Sequence, residues 1–246
     1  MKIIDAFWEE RNLGVTCYEL ELVLADRTDE VAAALDNLGE RQYMVAKIPA
    51  SRFDLLQLFQ GRGYSFIETA IKLEYDYKKL NYQPPAVPDA LKRIQEKCSW
   101  GPMNQDELSQ LSCEIKNNMF TTDRIYVDPA FTHEQAARRY DLWVKDLIAR
   151  GAVPYKAVVG DEIIGFFIGE QISEGLSRGT LGGLYEEYKA SGMGYWYLYA
   201  TFMCSREHGV KKCVTQVSAC NPAILKLHTT FGAAIKGCEY VLVKHT

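Results

Sequence analysis

The stretch LGGLYEEYKASGMGYWYLYATF, residues 181–202, decides how this chain is read. An extended segment ends near Tyr185, a turn of small residues runs from Lys189 to Gly194, and a helix begins at once. From Gly194 to about residue 208, Tyr195, Leu198, Tyr199 and Phe202 recur at i, i+3, i+4 and i+7, the spacing of one helix face. Gly192 and Gly194 let the backbone turn tightly and bring successive N–H groups close to a ligand. The unpaired amides and positive dipole end of the helix then make a place for a phosphate or pyrophosphate, and Lys189 can add a charge. A phosphate loop of the Walker type needs Gly-Lys-Ser/Thr where Met193-Gly194-Tyr195 stand. A dinucleotide fingerprint needs a third glycine and an acidic residue ~20 positions on. Neither condition is met. A glycine turn before an amphipathic helix, with no ligand, is the plain alternative.

Strands and helices continue on both sides. Downstream lie the strand VKKCVTQVSA (210–219), the helix NPAILKLHTTFG (221–232) and the closing strand AIKGCEYVLVK (234–244). Upstream, the patterning predicts a strand over 178–187, a hairpin around Asp161-Glu162, helices over 132–149 and 104–119, and a strand near 93–100. Thr132 stands at the cap of the helix over 132–149. Residues 91–246 thus read β-α-α-β-β-β-α-β-α-β. Ahead of them, Pro84, Pro85 and Pro88 mark residues 81–90 as an extended connector. Residues 1–80 form a front module. It has strands over 15–23, 41–49 and 65–77, and helices over 29–39 and 51–63, the latter with Ser51 as cap. It holds no cluster of His, Cys or acidic residues at site-like spacing and is expected to be a scaffold for the back half.

The 246 residues are 48% hydrophobic and 24% charged, enough for a substantial core, with a net charge of −4. That balance excludes a broad basic surface for nucleic acid. No run of ~18 apolar residues exists to span a membrane, and MKIIDAFWEERN does not read as a signal peptide. The cysteines at 17, 98, 113, 204, 213, 220 and 238 are odd in number and show no CxxC pair. They fit reduced, small hydrophobes in a metal-free cytoplasmic protein.

Lys189-Ala190-Ser191-Gly192-Met193-Gly194 follows the pattern Arg/Gln-x-x-Gly-x-Gly/Ala, with lysine in first place, and sits after the fourth strand of the back module. Asn221 opens the last helix, and seven residues later His228 takes the place of a tyrosine, ahead of Phe231-Gly232-Ala233. With this element order, the back module resembles the GCN5-related N-acetyltransferases. The resemblance implies an α/β (α+β) fold. Its mixed central sheet is splayed between the fourth and fifth strands, with helices on both faces, and a smaller α/β module precedes it. FWEERNLG, MVAKIP, GYSFIETAIKLEYDY, TDRIYVDPAFT, YDLWV and TQVSACN are similar, more loosely, to the dTDP-fucosamine acetyltransferase group.

What the resemblance implies is acetyl-CoA as acyl donor, with a small amine, a nucleotide-linked amino sugar, attacking the thioester directly. Leu184 and Tyr185 are expected beside the thioester and pantetheine. The amides of Lys189, Ala190, Ser191, Gly192, Met193 and Gly194 are expected on the pyrophosphate, with Asn221 nearby. His228 holds the family's proton-donor position. Ile224, His228 and Phe231 share a helix stripe, so His228 is either the donor to the departing thiolate or a core histidine bonded to a carbonyl. No general base stands out. Glu170, Glu186 and Glu187 flank the cleft, and most such glutamates are solvated surface. The looser likeness points to Arg124, Tyr140 and Trp143 for the acceptor, although Tyr140 and Trp143 at i, i+3 also suit plain helix core. A protein or peptide acetyltransferase and a non-catalytic CoA sensor are the competing readings, and a homodimer is compatible with any of them.

Overall fold

The computed structural model describes residues 1–117 and 119–246. In chain order the elements are β1 (Lys2–Asp5), α1 (Trp8–Leu13), β2 (Cys17–Glu21), α2 (Thr28–Asp36), β3 (Tyr43–Pro49), α3 (Phe53–Gly61) and β4 (Ser65–Asp76). The back half continues with α4 (Lys92–Gln95), β5 (Cys98–Pro102), α5 (Gln105–Lys116), α6 (Arg124–Val127), α7 (His133–Ala149), β6 (Pro154–Val159), β7 (Glu162–Ser173) and β8 (Leu176–Leu184). It closes with α8 (Gly194–Glu207), β9 (Lys212–Ser218), α9 (Pro222–Thr230) and β10 (Ala234–His245).

Local chemistry sets several helix starts. Asn104 with Glu107 and Thr132 with Gln135 form reciprocal capping boxes at α5 and α7. Asn221 caps α9 ahead of Pro222 at its first position. Ser51 does not cap α3, which begins one residue later behind Arg52 and without a side-chain cap. The strand expected near 93–100 is split: α4 takes the first turn, and β5 starts only at Cys98. β1, α1 and α6 were not foreseen, being only four to six residues long.

All ten strands join one mixed sheet in the order β1-β2-β3-β10-β4-β9-β8-β7-β6-β5. The strands of residues 1–80 and of 91–246 are therefore continuous. The last strand, β10, lies between β3 and β4 and is antiparallel to both. The run β2-α2-β3-α3-β4 repeats the succession β8-α8-β9-α9-β10, and β2/β3 and β8/β9 are both parallel pairs. β4 pairs with β9 just as β10 pairs with β3. The strand order is thus pseudo-symmetric about the β10/β4 pair, each half lending its final strand to the other.

The pleat divides the core between two faces. Val45, Ala70 and Val241 pack beneath α1, α6 and α7. Their neighbours Ala46 and Leu242 pack under α2 and α3, and Ile71 packs under α8 and α9. Phe166 faces α5 and α7 while Phe167 faces α8. Each large side chain buried this way contributes roughly 1.5–3 kcal/mol.

Candidate active site

β8 and β9 are in register for only three pairs, from Leu176↔Lys212 to Arg178↔Val214. The Thr215 hydroxyl, donating to the Gly179 carbonyl at 2.9 Å, is the last tie before the strands part. The matching pair of the front half stays closed for five, from Cys17↔Tyr43 to Glu21↔Lys47. The opening is therefore specific to the back half. Its far wall is built around glycine: a Cβ on Gly182 would lie 2.3 Å from the Tyr197 hydroxyl and 2.7 Å from the Phe166 carbonyl.

At the carboxyl end of β8, the chain turns into α8. Ala190 and Gly192 both have positive φ, 60° and 82°. The amides of Lys189 and Ser191 donate back to Glu186 and Tyr188, and that of Met193 to the Ser191 hydroxyl. Those of Ala190, Gly192 and Gly194 meet no acceptor among the described residues. Met193 gives the 14-residue α8 no side-chain cap, so its first amides and dipole end are open to an anion. The Lys189 ammonium faces away, donating to the Met119 carbonyl at 3.0 Å and Glu186 at 2.6 Å.

A cleft of about 2280 Å³ runs through the splay and on across the face under α1, α6 and α7. It exceeds a single small-ligand pocket of ~300–1,000 Å³ and has room for two ligands. Of the expected residues, Leu184, Lys189, Ala190, Gly194, Asn221, His228, Arg124, Tyr140 and Trp143 line it; Tyr185, Ser191, Gly192 and Met193 do not. Tyr185 is fully buried, its hydroxyl lacks a partner, and its amide already donates to Ile164 at 3.0 Å. The Asn221 side chain accepts from Ile224 at 3.2 Å as the cap of α9.

His228 meets a residue the sequence did not single out. Its Nδ1 shares a 2.7 Å hydrogen bond with the Tyr75 hydroxyl on β4. Burial lowers the His228 pKa to about 4, so the ring is neutral at physiological pH, and burial pushes the Tyr75 phenol up. The pair therefore sits uncharged at the cleft wall.

On the opposite face the cleft is polar. The Arg124 guanidinium lies 2.5 Å from Glu19 and 3.6 Å from Glu9, so two carboxylates already meet its charge. Burial works against the Glu19 carboxylate, yet Arg124 and Lys47, the latter at 2.8 Å, bring its pKa down to about 2. Arg124 Nε is buried without a partner. Beside it stands an aromatic wall. The Phe120 and Tyr140 ring centroids are 4.2 Å apart, and those of Tyr140 and Trp143 are stacked at 6.0 Å. Tyr75, Glu19 and Lys47 escaped the sequence reading, since only the sheet order brings the front module to the cleft; Phe120, between α5 and α6, escaped it as well.

Among the described residues no helix is long and apolar enough to cross a membrane, and no group of three or more His, Cys, Asp or Glu could hold a metal ion. No family model matches the chain. It is 23% identical over 182 residues to the spore coat polysaccharide biosynthesis protein SpsD of Bacillus subtilis, covering 71% of this chain and 57% of that protein. A solved GCN5-related N-acetyltransferase from Sphaerobacter thermophilus superposes with a TM-score of 0.57 at 16% identity, over 82% of this chain and 59% of that one. A tandem GNAT protein from the clavulanic acid biosynthesis pathway gives a TM-score of 0.55 at 15% identity, over 93% of this chain and 75% of that one. The chain spans less than two thirds of the first two proteins. Together with the splayed sheet, these likenesses show that the chain has the fold of the GCN5-related N-acetyltransferases.

Proposed function

We propose that the chain is an acetyl-CoA-dependent N-acetyltransferase whose acceptor is a small amine, an amino sugar carried on a nucleotide. The observation that carries this reading is the parting of β8 from β9 with the uncapped N-terminus of α8 at its mouth. Acetyl-CoA supplies an acetyl group already activated as a thioester. The open amides of Ala190, Gly192 and Gly194 and the first turn of α8 hold its diphosphate, and the strand edge at Gly182, Gly183 and Leu184 holds the pantetheine arm. Tyr75 fixes the His228 ring: with its hydroxyl donating to Nδ1, the imidazole proton sits on Nε2. His228, neutral in this setting, donates a hydrogen bond from Nε2 to the leaving sulfur. Holding donor and acceptor together in one cleft contributes a large part of the rate.

For the acceptor, Phe120, Tyr140 and Trp143 offer faces for a sugar or base, and Arg124 lines the cleft beside them. The likeness to a spore coat polysaccharide biosynthesis protein supports a sugar. Free cysteines at seven positions support a reducing, cytoplasmic setting. Calorimetry with acetyl-CoA, followed by thiol release with a panel of dTDP- and UDP-amino sugars, tests the reading. Binding with turnover of at least one sugar supports it. No binding at ~1 mM overturns it, since KM values commonly lie at ~1 μM–1 mM. Binding without release on any amine makes the chain a CoA sensor instead.

A further inference from the structure

Glu68 on β4 is a buried carboxylate that the structure leaves without an ion pair. It is 9% exposed and lines the cleft on the face under α6 and α7, opposite to Tyr75 of the same strand. The other buried glutamates each have a close cation: Glu19 has Arg124 at 2.5 Å and Lys47 at 2.8 Å, Glu239 has Lys72 at 2.5 Å, and Glu9 has Arg139 at 2.7 Å. Among the described residues Glu68 has no cation within 4.0 Å. Its surroundings are Ser218 at the end of β9, Arg124 and Asp123 at the start of α6, Val241 across on β10, and Tyr140 on α7. Arg124, the cation among them, is committed to Glu19. A carboxylate removed from water costs several kcal/mol unless it meets a cation or a proton. The cleft is where either can arrive.

Its place is also suited to the reaction. Ser218 pairs with Ala70, so Glu68 lies two residues beyond the end of β9, the strand that forms one lip of the splay. Met119 and Phe120 pack against Gly183 on the other lip, where a Cβ would stand 3.5 Å from the Phe120 ring. From there Thr121 and Thr122 pass along the cleft wall to Asp123 and Arg124 beside Glu68. The edge of β8 and the Glu68 carboxylate thus border one space, approached from the face opposite to His228.

Building on the acetyltransferase reading, we propose that Glu68 receives the acceptor's ammonium group and takes a proton from it. The ammonium gives one proton to the Glu68 carboxylate, and the nitrogen's freed electron pair forms the N–C bond to the acetyl carbon. The C–S bond breaks with its pair on sulfur. The second proton of the amine goes to that thiolate, and Glu68 releases its own to solvent, so one amide, one thiol and one proton result. Burial, the largest influence on Glu68, lifts its pKa, and Asp123 adds to this; Ser218, the Arg124 guanidinium and the Arg124 amide act the other way with a smaller effect. A carboxylate raised in this way is a better base than a solvated one.

Glu68→Gln tests the proposal, with Glu68→Asp as its conservative companion. Calorimetry is expected to give both variants an acetyl-CoA affinity within about twofold of wild type, which also shows that they fold. With the amino-sugar nucleotide on which wild type releases thiol fastest, E68Q is expected to lose ~10²–10⁴-fold in kcat near pH 7. That deficit narrows as the pH rises past the pKa of the amine, where free base forms unaided; E68D falls between. In protein carrying 13C at the glutamate carboxyls, one signal is expected to titrate above the ordinary ~4.3 and to vanish in E68Q. Wild-type turnover by E68Q across this pH range, or a Glu68 signal titrating at or below ~4.3, overturns the proposal alone. A wild type that binds no acetyl-CoA overturns it together with the function it rests on.

Discussion

The Tyr75 hydroxyl and His228 Nδ1 lie 2.7 Å apart, joining β4 of the front half to α9 of the back half. Burial holds His228 near pKa 4, below the ordinary ~6.5, so the unfolded chain takes up this proton more readily than the folded one. The stability that follows is fully present above about pH 6.5 and is lost as the pH falls toward 4. At its limit it amounts to roughly 3 kcal/mol. His228→Phe should flatten this part of the acid limb in urea denaturation compared at pH 7.5 and 5. At pH 7.5 it should cost about 1–3 kcal/mol, because the Tyr75 hydroxyl loses its partner. An acid limb identical in wild type and variant would refute the assignment.

Gly182 is where the cleft wall and the core meet. The Cβ of Gly182→Ala would have to displace the Tyr197 hydroxyl at 2.3 Å and also press on the Phe166 carbonyl backbone at 2.7 Å. A side chain can swing away, but the strand cannot do so cheaply. The expected outcome is a loss of about 1–3 kcal/mol in stability. Acetyl-CoA affinity should fall by more than about tenfold by calorimetry, because β8 shifts. Gly192→Ala at φ 82° has open space around it, so its cost should come from backbone conformation alone, about 1 kcal/mol.

Short-range signals in the sequence carried the β8–α8 turn, the Thr132 cap and the helix stripe of α9, because each depends on residues within a few positions. Tyr75 and His228 are 153 positions apart, and nothing local announces their meeting. The alternation in ETAIKLEYDY puts Glu68 and Tyr75 on opposite faces of a strand. It cannot show that both faces will border a cleft. That depends on β10 entering between β3 and β4, a non-local pairing that brings the front module, an apparent scaffold in the sequence, to the cleft wall. Arg124 shows the same limit: an arginine suited to a phosphate is legible, but its two carboxylate partners come from α1 and β2.

Glu9 ties the first helix to the rest of the molecule. It is fully buried, pairs with Arg139 on α7 at 2.7 Å, and lies 3.6 Å from Arg124. Glu9→Gln would leave two buried guanidiniums short of one negative charge, and breaking such a pair typically costs 3–5 kcal/mol, so about that loss is expected. Pairing Glu9→Gln with Arg139→Met should recover part of it, since replacing both members removes the unpaired charge. The urea midpoints of the two single variants and the double variant provide the check. Simple additivity of the two losses would show that the residues do not act as a pair.

Sharing of β10 sets how the chain can be divided. β3 pairs with β10 from Tyr43↔His245 to Pro49↔Glu239, and β4 pairs with β10 along its other edge from Ser65↔Val243 to Glu74↔Ala234. β3 and β4 do not pair with each other. Residues 1–80 alone would therefore expose two unpaired strand edges together with the apolar side chains of β3 and β4 that Val241, Leu242 and Val243 cover. Residues 91–246 alone would leave β10 and β9 without β4 between them. Neither fragment is expected to unfold cooperatively by circular dichroism, whereas the two expressed together should recover acetyl-CoA binding through the same pairing. A sharp thermal transition from the 1–80 fragment by itself would show that its core closes without β10 and that the halves are independent units.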